Sequence, residues 1–381
     1  MKRAVSFLPV LILSLLFAAC GGSDTPPPQP TTSQLTNRAL VTNQFASTVN
    51  IVDGDTDTVS TFRVTAGVNP TLISVSPDKR RAAIFNSADN SLSIIDNAQE
   101  SLLGSVGLGS FTESVAFSPD GNRVYAAVRN AAAVLVLTIA ANGTPSISTV
   151  TVPAPRRLVV GGNGNRLLVF SDDLDSLTVI DTTNSNATTT VTGFDRPVWG
   201  VFSSDSATAW ILNCGPECGG TQASVVALDM GTLALGTPVP VSAATIGMLD
   251  GSRIYVAGTA GGVGQLDILN VPALTLQGSG IVISNGFHHA MALGTNSKLF
   301  IASRTCSNLT EGCLSIVNTS NNAVVINGPT GDVTGLAAIP GRNVVYVAEG
   351  GELRIYDTAT SALQTRQIEF VGLMFDVKSI D

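Results

Sequence analysis

One apolar segment recurs along the chain at nearly constant spacing. Its copies begin at residues 81, 123, 166, 208, 253, 298 and 344, so successive copies lie 42 to 46 residues apart. They read RAAIFN, RVYAAV, RLLVF, TAWIL, RIYVAG, KLFIAS and VVYVAE, and an earlier copy is ALVTN at 39–43. Short, near-continuous apolar runs of this kind predict strands that are covered on both faces. The fixed period indicates a repeat architecture, with one supersecondary unit in each repeat.

Each repeat contains further strand segments around this one. In the unit at 114–139, an apolar strand (115–117) and a Ser-Pro-Asp-Gly turn (118–121) precede the recurrent segment. A third strand follows it, as in LTVID (177–181), and the polar segment TTTVT (188–192) suits an exposed outer edge. Four short strands in a repeat of this length predict an all-β fold, a β-propeller with four-stranded blades.

The two ends of the repeat region are complementary. The N-terminal unit has second, third and fourth strands but no first strand, and GLMFDV (372–377) supplies a spare one. Pairing of the N- and C-terminal strands closes the ring with a composite blade. This predicts eight blades over residues 38–381; a seven-bladed ring is the alternative if 371–381 form only a tail.

The first repeats resemble a known family. Val41-Thr42-Asn43, followed by STVNIVDGDTDTV (47–59), is similar to the YVTN-repeat β-propellers, and SPDGNRVY (118–125) resembles the same repeat and the related lactonase-type propellers. The family includes surface-layer proteins, periplasmic binding proteins and cofactor enzymes. The resemblance therefore implies the fold and leaves the function open.

The first 37 residues are predicted to export and anchor the protein. Lys2 and Arg3 precede an apolar run too short to span a bilayer, which makes residues 1–19 a signal peptide. Its end, Leu16-Phe17-Ala18-Ala19-Cys20, resembles the lipobox of bacterial lipoproteins, which implies that Cys20 is lipidated and is the membrane contact. The alternative is an ordinary signal peptide with an incidental cysteine. The Gly-, Pro-, Ser- and Thr-rich stretch at 20–37 is predicted to be a flexible tether.

The anchor and the overall charge restrict location and partners. Gly21 after the cysteine favours the outer membrane, on its periplasmic or surface face, as the site of this cell-envelope protein. The chain has 28 acidic and 20 basic residues, with no basic stripe. This balance argues against nucleic acid as a partner.

The four remaining cysteines form two local pairs, Cys214 with Cys218 and Cys306 with Cys313. An exported protein meets an oxidising compartment, so the pairs predict two disulfides that close small loops. A structural zinc site is the alternative, but its thiolates usually lie closer together and are joined by further Cys or His ligands. No metal site and no cofactor are predicted.

The propeller arrangement predicts where a site would lie. Loops that lead into first strands and loops that join second to third strands share one face, and both cysteine pairs fall in loops of that face. Stapled loops around a funnel would preorganise a binding surface. Alternatively, the arginines pair with neighbouring acids and the disulfides only stiffen loops. The candidate funnel residues are Glu113, Arg156, Arg157, Arg196, Trp199, His288, His289 and Asp332.

The candidate chemistry favours binding over catalysis. His288 and His289 are the only histidines, adjacent strand residues point to opposite faces, and no Gly-x-Ser-x-Gly motif is present. The alternating Asp53, Asp55 and Asp57 lack the later Gly and Glu of an EF-hand, which favours a hairpin turn.

The leading interpretation is a non-enzymatic binding or scaffold propeller for an envelope protein or a small ligand. The alternatives are a lactonase-like hydrolase acting at the channel and a redox propeller carrying a cofactor such as haem.

Overall fold

The computed structural model describes residues 31–140, 145–171, 173–307, 312–327, 331–366 and 368–381. The predicted signal peptide and Cys20 lie outside the described residues. Of the predicted tether, Ser33 donates its backbone N–H to Glu100 at 2.5 Å and Asn37 donates to Asp55 at 2.8 Å. In the described part of the chain, no helix has the length and apolar character needed to cross a membrane.

The described residues form eight antiparallel sheets, which we number as blades in chain order from the strand at residue 38. Blade one contains β1 Arg38–Asn43, β2 Thr48–Asp53 and β3 Thr58–Thr65, and blade two contains β4 Pro70–Val75, β5 Arg81–Asn86, β6 Ser91–Asp96 and β7 Ser101–Gly107. Blade three contains β8 Val115–Phe117, β9 Arg123–Val128, β10 Ala133–Ile139 and β11 Pro145–Thr151. Blade four contains β12 Arg157–Val160, β13 Arg166–Phe170, β14 Ser176–Asp181 and β15 Ala187–Thr192.

The strands of blades five to eight follow in the same order. Blade five contains β16 Pro197–Phe202, β17 Thr208–Asn213, β18 Ser224–Asp229 and β19 Val239–Pro240, and blade six contains β20 Ile246–Asp250, β21 Arg253–Ala260, β22 Val263–Asn270, β23 Thr275–Leu276 and β24 Ile281–Ile283. Blade seven contains β25 Phe287–Gly294, β26 Lys298–Arg304, β27 Leu314–Asn318 and β28 Val324–Asn327. Blade eight contains β29 Val333–Ala338, β30 Val344–Glu349 and β31 Glu352–Asp357. Strand β32, Met374–Ser379, belongs to blade one, and two short 3₁₀ helices cover Arg129–Ala131 and Gly215–Cys218.

Three blades depart from four continuous strands at their outer edge. In blade five, the two-residue strand β19 and the bridge of Leu228 to Leu235 occupy the fourth position. In blade six, β23 and β24 both pair with β22, so the outer strand is interrupted. In blade eight, the bridges of Leu353 to Ile368 and of Tyr356 to Leu363 occupy the fourth position. All three departures lie on the side remote from the channel.

The ring closes through the composite blade that the sequence predicts. Strand β32 pairs antiparallel with β1, with Leu40 opposite Lys378 and Val41 opposite Val377. Each first strand contacts the first strands of the neighbouring blades, in a circuit from β32 through β4 and the others to β29 and back to β32. The eight-bladed prediction is confirmed, because residues 374–379 form a strand of the ring rather than a tail.

The hydrophobic core lies between the blades. Each of eight apolar clusters fills one interface between neighbouring blades. Successive residues of a strand point to opposite interfaces: Val124 and Ala126 face blade two, whereas Tyr125 faces blade four. This explains why the second strands read as continuous apolar runs.

Polar groups fix the ring where its ends meet. The buried carboxylate of Asp376 accepts hydrogen bonds from the backbone N–H of Ile73 at 2.9 Å and from Lys378 at 2.8 Å. Between blades one and eight, the buried Asp57 pairs with Arg342 and Arg366.

The acidic segment around Asp53 is a hairpin turn. Asp53 accepts hydrogen bonds from the backbone N–H of Asp55 at 2.9 Å and from the Thr56 hydroxyl at 2.6 Å. Asp57 donates its N–H to the carbonyl of Asp53 at 2.9 Å. These bonds show that the alternating aspartates of this segment stabilise a turn.

Candidate functional site

A cavity of about 730 Å³ opens at the end of the channel where the first strands begin, and we call it the mouth cavity. Residues from blades one to five, seven and eight line it, so it lies at the centre of the ring. Its volume is within the range of small-molecule sites. Its aromatic and charged lining consists of Phe111, Glu113, Arg156, Arg157, Trp199, Phe287, His289, Arg304, Phe375, Asp376 and Lys378.

Arg157 reaches across the mouth cavity from blade four. One of its terminal nitrogens donates to the carbonyl oxygen of Thr245 at 2.8 Å, and its guanidinium lies 5.0 Å from the ring centroid of Phe287. Burial, assisted by the nearby charge of Arg156, lowers the pKa of Arg157 to about 10. The group is therefore a cation at neutral pH, positioned by a carbonyl and an aromatic face.

Arg304 is a second cation of the mouth cavity, at the end of β26. Its guanidinium lies 5.0 Å from the ring centroid of Phe375, which belongs to the closing strand β32. Burial lowers the pKa of Arg304, while Asp376 and Asp332 act to raise it. Its buried Nε has no hydrogen-bond partner among the described residues. Such a donor gains most from an added acceptor, because a buried unpaired donor is costly.

His289 is held neutral beside these cations. Its Nε2 lies 2.8 Å from the carbonyl oxygen of Val333, and because a carbonyl only accepts, Nε2 carries the proton. Burial, with the charges of Arg304, Lys378 and Arg157, lowers the pKa of His289 to about 3. At neutral pH the ring therefore adds no charge, and its Nδ1 is an acceptor.

The remaining charged groups of the mouth cavity are paired. Arg156 binds Glu113 at 2.6 Å, and Lys378 binds Asp376 at 2.8 Å. Within the described ranges, neither Arg157 nor Arg304 has a carboxylate oxygen within ion-pair distance. The mouth cavity thus has two cations in excess, inside a protein with a formal net charge of −8.

Aromatic side chains form much of the cavity wall. Trp199 is fixed by a hydrogen bond from its indole N–H to the carbonyl of Gly247 at 3.0 Å. Phe111 packs edge-on against the buried Phe85, with ring centroids 5.3 Å apart. Phe287 remains 36 % exposed although it contacts Arg157, so part of its ring is available to a ligand.

Five of the eight predicted funnel residues line the mouth cavity: Glu113, Arg156, Arg157, Trp199 and His289. The other three lie elsewhere. Arg196 is 3.6 Å from Asp175 at the rim, and Asp332 accepts a hydrogen bond from the N–H of Thr305 at 2.7 Å. His288 is buried in the blade, with Nε2 donating to the carbonyl of Ser284 at 2.8 Å.

Both predicted disulfides are formed. Cys214–Cys218 and Cys306–Cys313 each join Cα atoms 5.7 Å apart, in the connections between second and third strands. The first encloses the helix Gly215–Cys218, whose Glu217 accepts a hydrogen bond from the N–H of Thr259 at 2.7 Å. Burial raises the pKa of Glu217, and its charge acts on Arg157. This loop therefore contributes to the electrostatic surroundings of the site.

Five further residues line the mouth cavity that the sequence pattern does not identify: Phe287, Arg304, Phe375, Asp376 and Lys378. Phe375, Asp376 and Lys378 lie on β32. The sequence identifies β32 as a first strand, and because first strands line the channel of a propeller, this assignment could have indicated these three residues. Arg304 ends a second strand, and no pattern in the repeat marks it.

The two carboxylates that line the mouth cavity pair with cations rather than with His289. Glu113 and Asp376 each bind a cation, and within the described residues neither hydrogen-bonds to His289. The carboxylate–histidine contact of a catalytic triad is therefore missing from this part of the chain.

Comparisons with known proteins establish the fold. No protein-family model matches the chain, and no curated protein matches it. Among solved structures, the dihydro-heme d1 dehydrogenase NirN in complex with DHE has a TM-score of 0.72 at 15% identity, covering 93% of this chain and 77% of that one. Apo AztD from Citrobacter koseri has a TM-score of 0.64 at 13% identity, covering 90% and 97%. A Lactobacillus plantarum protein has a TM-score of 0.55 at 15% identity, covering 91% and 99%. At these identities the likeness concerns the propeller alone.

Proposed function

We propose that this protein is a binding module of the cell envelope that holds a small organic anion in the mouth cavity without transforming it. One observation carries the proposal: Arg157 and Arg304 enter a concave, aromatic-walled cavity and have no carboxylate partner among the described residues. Protein binding sites for small molecules combine apolar walls with a few placed polar groups.

Electrostatics favour an anion over a cation or a neutral compound. Partly buried charges interact more strongly than charges in water, because the effective dielectric constant is lower. Arg157 and Arg304 have no ion-pair partner among the described residues, so an anion that enters the mouth cavity gains a direct interaction with each. The acidic character of the rest of the chain makes the cavity a local exception, so binding depends on short-range contacts rather than on attraction by the whole protein.

The same proposal places the protein at a membrane through lipid on Cys20. Two disulfides in the propeller support an oxidising compartment. Several acyl chains would anchor the chain stably, since each buried methylene contributes about 0.8 kcal/mol. Fractionation tests this: Cys20→Ala should move the protein from the membrane fraction to the soluble fraction, and unchanged fractionation would contradict the anchor.

A thermal-shift screen of the purified protein, with its disulfides intact, tests the binding function. Organic anions are compared with neutral and cationic compounds of the same skeleton. A ligand at about 100 times its Kd should stabilise the fold by roughly 2.7 kcal/mol. Arg157→Gln should abolish the shift, whereas Arg196→Gln, at an arginine outside the cavity, should retain it.

Two further probes separate this function from its alternatives. Turnover of a lactone would favour a hydrolase. A change in the absorbance spectrum of haem on addition of the protein would favour a redox propeller. If the anions raise the unfolding temperature no more than their neutral analogues do, the proposal is wrong and the search turns to a protein partner.

A further inference from the structure

Arginine and phenylalanine alternate along one side of the mouth cavity. Arg157 lies over the ring of Phe287, and Arg304 lies over the ring of Phe375, each with 5.0 Å between guanidinium carbon and ring centroid. Phe287 and Arg304 are direct register partners on β25 and β26. Directly opposed residues on paired strands have neighbouring side chains. The four residues therefore form a continuous row, which we call the Arg–Phe row.

From the Arg–Phe row we propose that the ligand is an aromatic dicarboxylate, with one carboxylate for each arginine and a flat ring body between the aromatic walls. This inference rests on the proposed function and specifies its ligand. It assigns the two carboxylates to the residues that lack an acidic partner and the ring body to Phe287, Phe375 and Trp199.

Each arginine offers a separate, prepositioned donor fork. Arg157 is held by the carbonyl of Thr245 and by Phe287, and Arg304 is held by Phe375 with its Nε still unpaired. A guanidinium fork matches a planar carboxylate through two parallel hydrogen bonds. Because different rings hold the two forks, they favour two carboxylates over one anion shared by both.

Among the described residues, no neighbouring acid forms an ion pair with Arg157 or Arg304. The carboxylates of the cavity, Glu113 and Asp376, are bound to Arg156 and Lys378. His289 is neutral, with its Nε2–H committed to Val333. Asp376 and Asp332 act on Arg304, and Glu113 and Glu217 act on Arg157, without forming an ion pair with either arginine. Each guanidinium therefore keeps its donor fork for a ligand, and a ligand with two carboxylates pairs with both.

Isothermal titration of the purified protein, disulfides intact, tests the inference with five probes. Benzene-1,4-dicarboxylate and the 1,3-isomer carry both features, benzoate has one carboxylate, hexanedioate lacks the ring, and inorganic phosphate is a compact multivalent anion. We expect at least one benzene dicarboxylate to bind about tenfold or more tightly than benzoate and hexanedioate, since a tenfold difference in affinity corresponds to one good charged contact.

Variants assign each carboxylate to its arginine. Arg157→Gln and Arg304→Gln should each reduce affinity for the dicarboxylate about tenfold, to the level of benzoate, and the double variant should lose more. Arg304→Lys keeps the charge without the fork and should recover only part of the loss. Arg196→Gln is the matched control and should bind as the unaltered protein does, and the unfolding temperature of each variant confirms that it is folded.

The outcomes separate this inference from the proposed function. Benzoate, hexanedioate or phosphate could bind as tightly as the benzene dicarboxylates, in a manner that depends on Arg157. In that case the proposed anion-binding function holds, and the assignment of the ligand as an aromatic dicarboxylate is wrong. If no anion binds, both fail.

Discussion

The guanidinium of Arg304 lies 5.0 Å from the ring centroid of Phe375, although the first belongs to blade seven and the second to strand β32, which completes blade one. Strand β32 also contributes Asp376 and Lys378 to the mouth cavity. The proposed site therefore depends on closure of the ring, because without β32 one aromatic wall and one ion pair are missing.

Deletion of residues 371–381 should consequently abolish both cooperative unfolding and anion binding. The deletion removes Met374, Val377 and Ile380, all at most 2 % exposed, and each such buried side chain contributes roughly 1.5–3 kcal/mol. It also leaves β1 with an unpaired edge. Calorimetry and dye binding to exposed apolar surface provide the measurement.

A circular permutant is the control for this deletion. The N–H of Arg38 donates to Asp381 at 2.7 Å, so the end of the closing strand lies beside the start of β1. Residues 371–381 moved ahead of residue 31 through a flexible linker should restore folding. A truncated protein that unfolds like the full chain would contradict the role of β32.

Substitution of Asp57 by Asn should destabilise the interface between blades one and eight. Its fully buried carboxylate binds Arg342 at 3.1 Å, and also Arg366 and the hydroxyl of Tyr346. The substitution removes charged hydrogen bonds but leaves Arg342 and Arg366, which are 23% and 51% exposed, in contact with water. The cost should therefore be about 1.5–3 kcal/mol. Asp55→Asn, two residues away on an exposed carboxylate, is the matched control, and urea unfolding of the two variants should differ clearly.

The sequence was most informative about the blades and least informative about the cavity. Segments such as RVYAAV (123–128) and LTVID (177–181) form strands that neighbouring blades cover on both faces. Their apolar character alone therefore predicts them as strands. The composite blade was predictable for a similar reason, since a missing first strand at one end matched a spare strand at the other.

Side-chain directions at the strand ends could not be read in the same way. Arg156 and Arg196 stand just before the first strands of consecutive blades, yet only Arg156 reaches the cavity. Arg196 has a positive φ of 57° and its backbone N–H donates to Asp175 at the rim. Loop conformations of this kind depend on local turns that the repeat pattern does not specify.

Reduction of the two disulfides should destabilise the propeller moderately without unfolding it. Each closes a small loop, with sequence separations of 4 and 7, for which loop entropy gives about 2 kcal/mol per bond. The unfolding temperature should fall on addition of a reductant. Cys214→Ser with Cys218→Ser, and Cys306→Ser with Cys313→Ser, should each reproduce part of the fall; an unchanged temperature in protein with all four thiols labelled would refute this contribution.

Stability should also decrease as the pH falls below about 6.5, because of the two histidines. Burial lowers the pKa of His288 to about 4, and burial together with Arg304, Lys378 and Arg157 lowers that of His289 to about 3. Below 6.5, the usual pKa of histidine, the unfolded chain takes up protons that the folded chain does not. The folded state therefore has its full stability above pH 6.5, and the loss levels off only below about pH 4 for His288 and pH 3 for His289.

Urea unfolding between pH 7.5 and pH 5 measures this effect, since the unfolded-state pKa values of Asp and Glu lie near 4 and most of their titration falls below this window. Burial raises the pKa of Glu217, which acts in the opposite direction, so all variants are compared in a Glu217→Gln background. Each histidine should contribute a slope of up to about 1.4 kcal/mol per pH unit. His288→Gln and His289→Gln should each lower the slope, and the double variant should be nearly independent of pH even if its stability at pH 7.5 is lower. An equal slope in the Glu217→Gln protein and the double variant would assign the pH dependence to other groups.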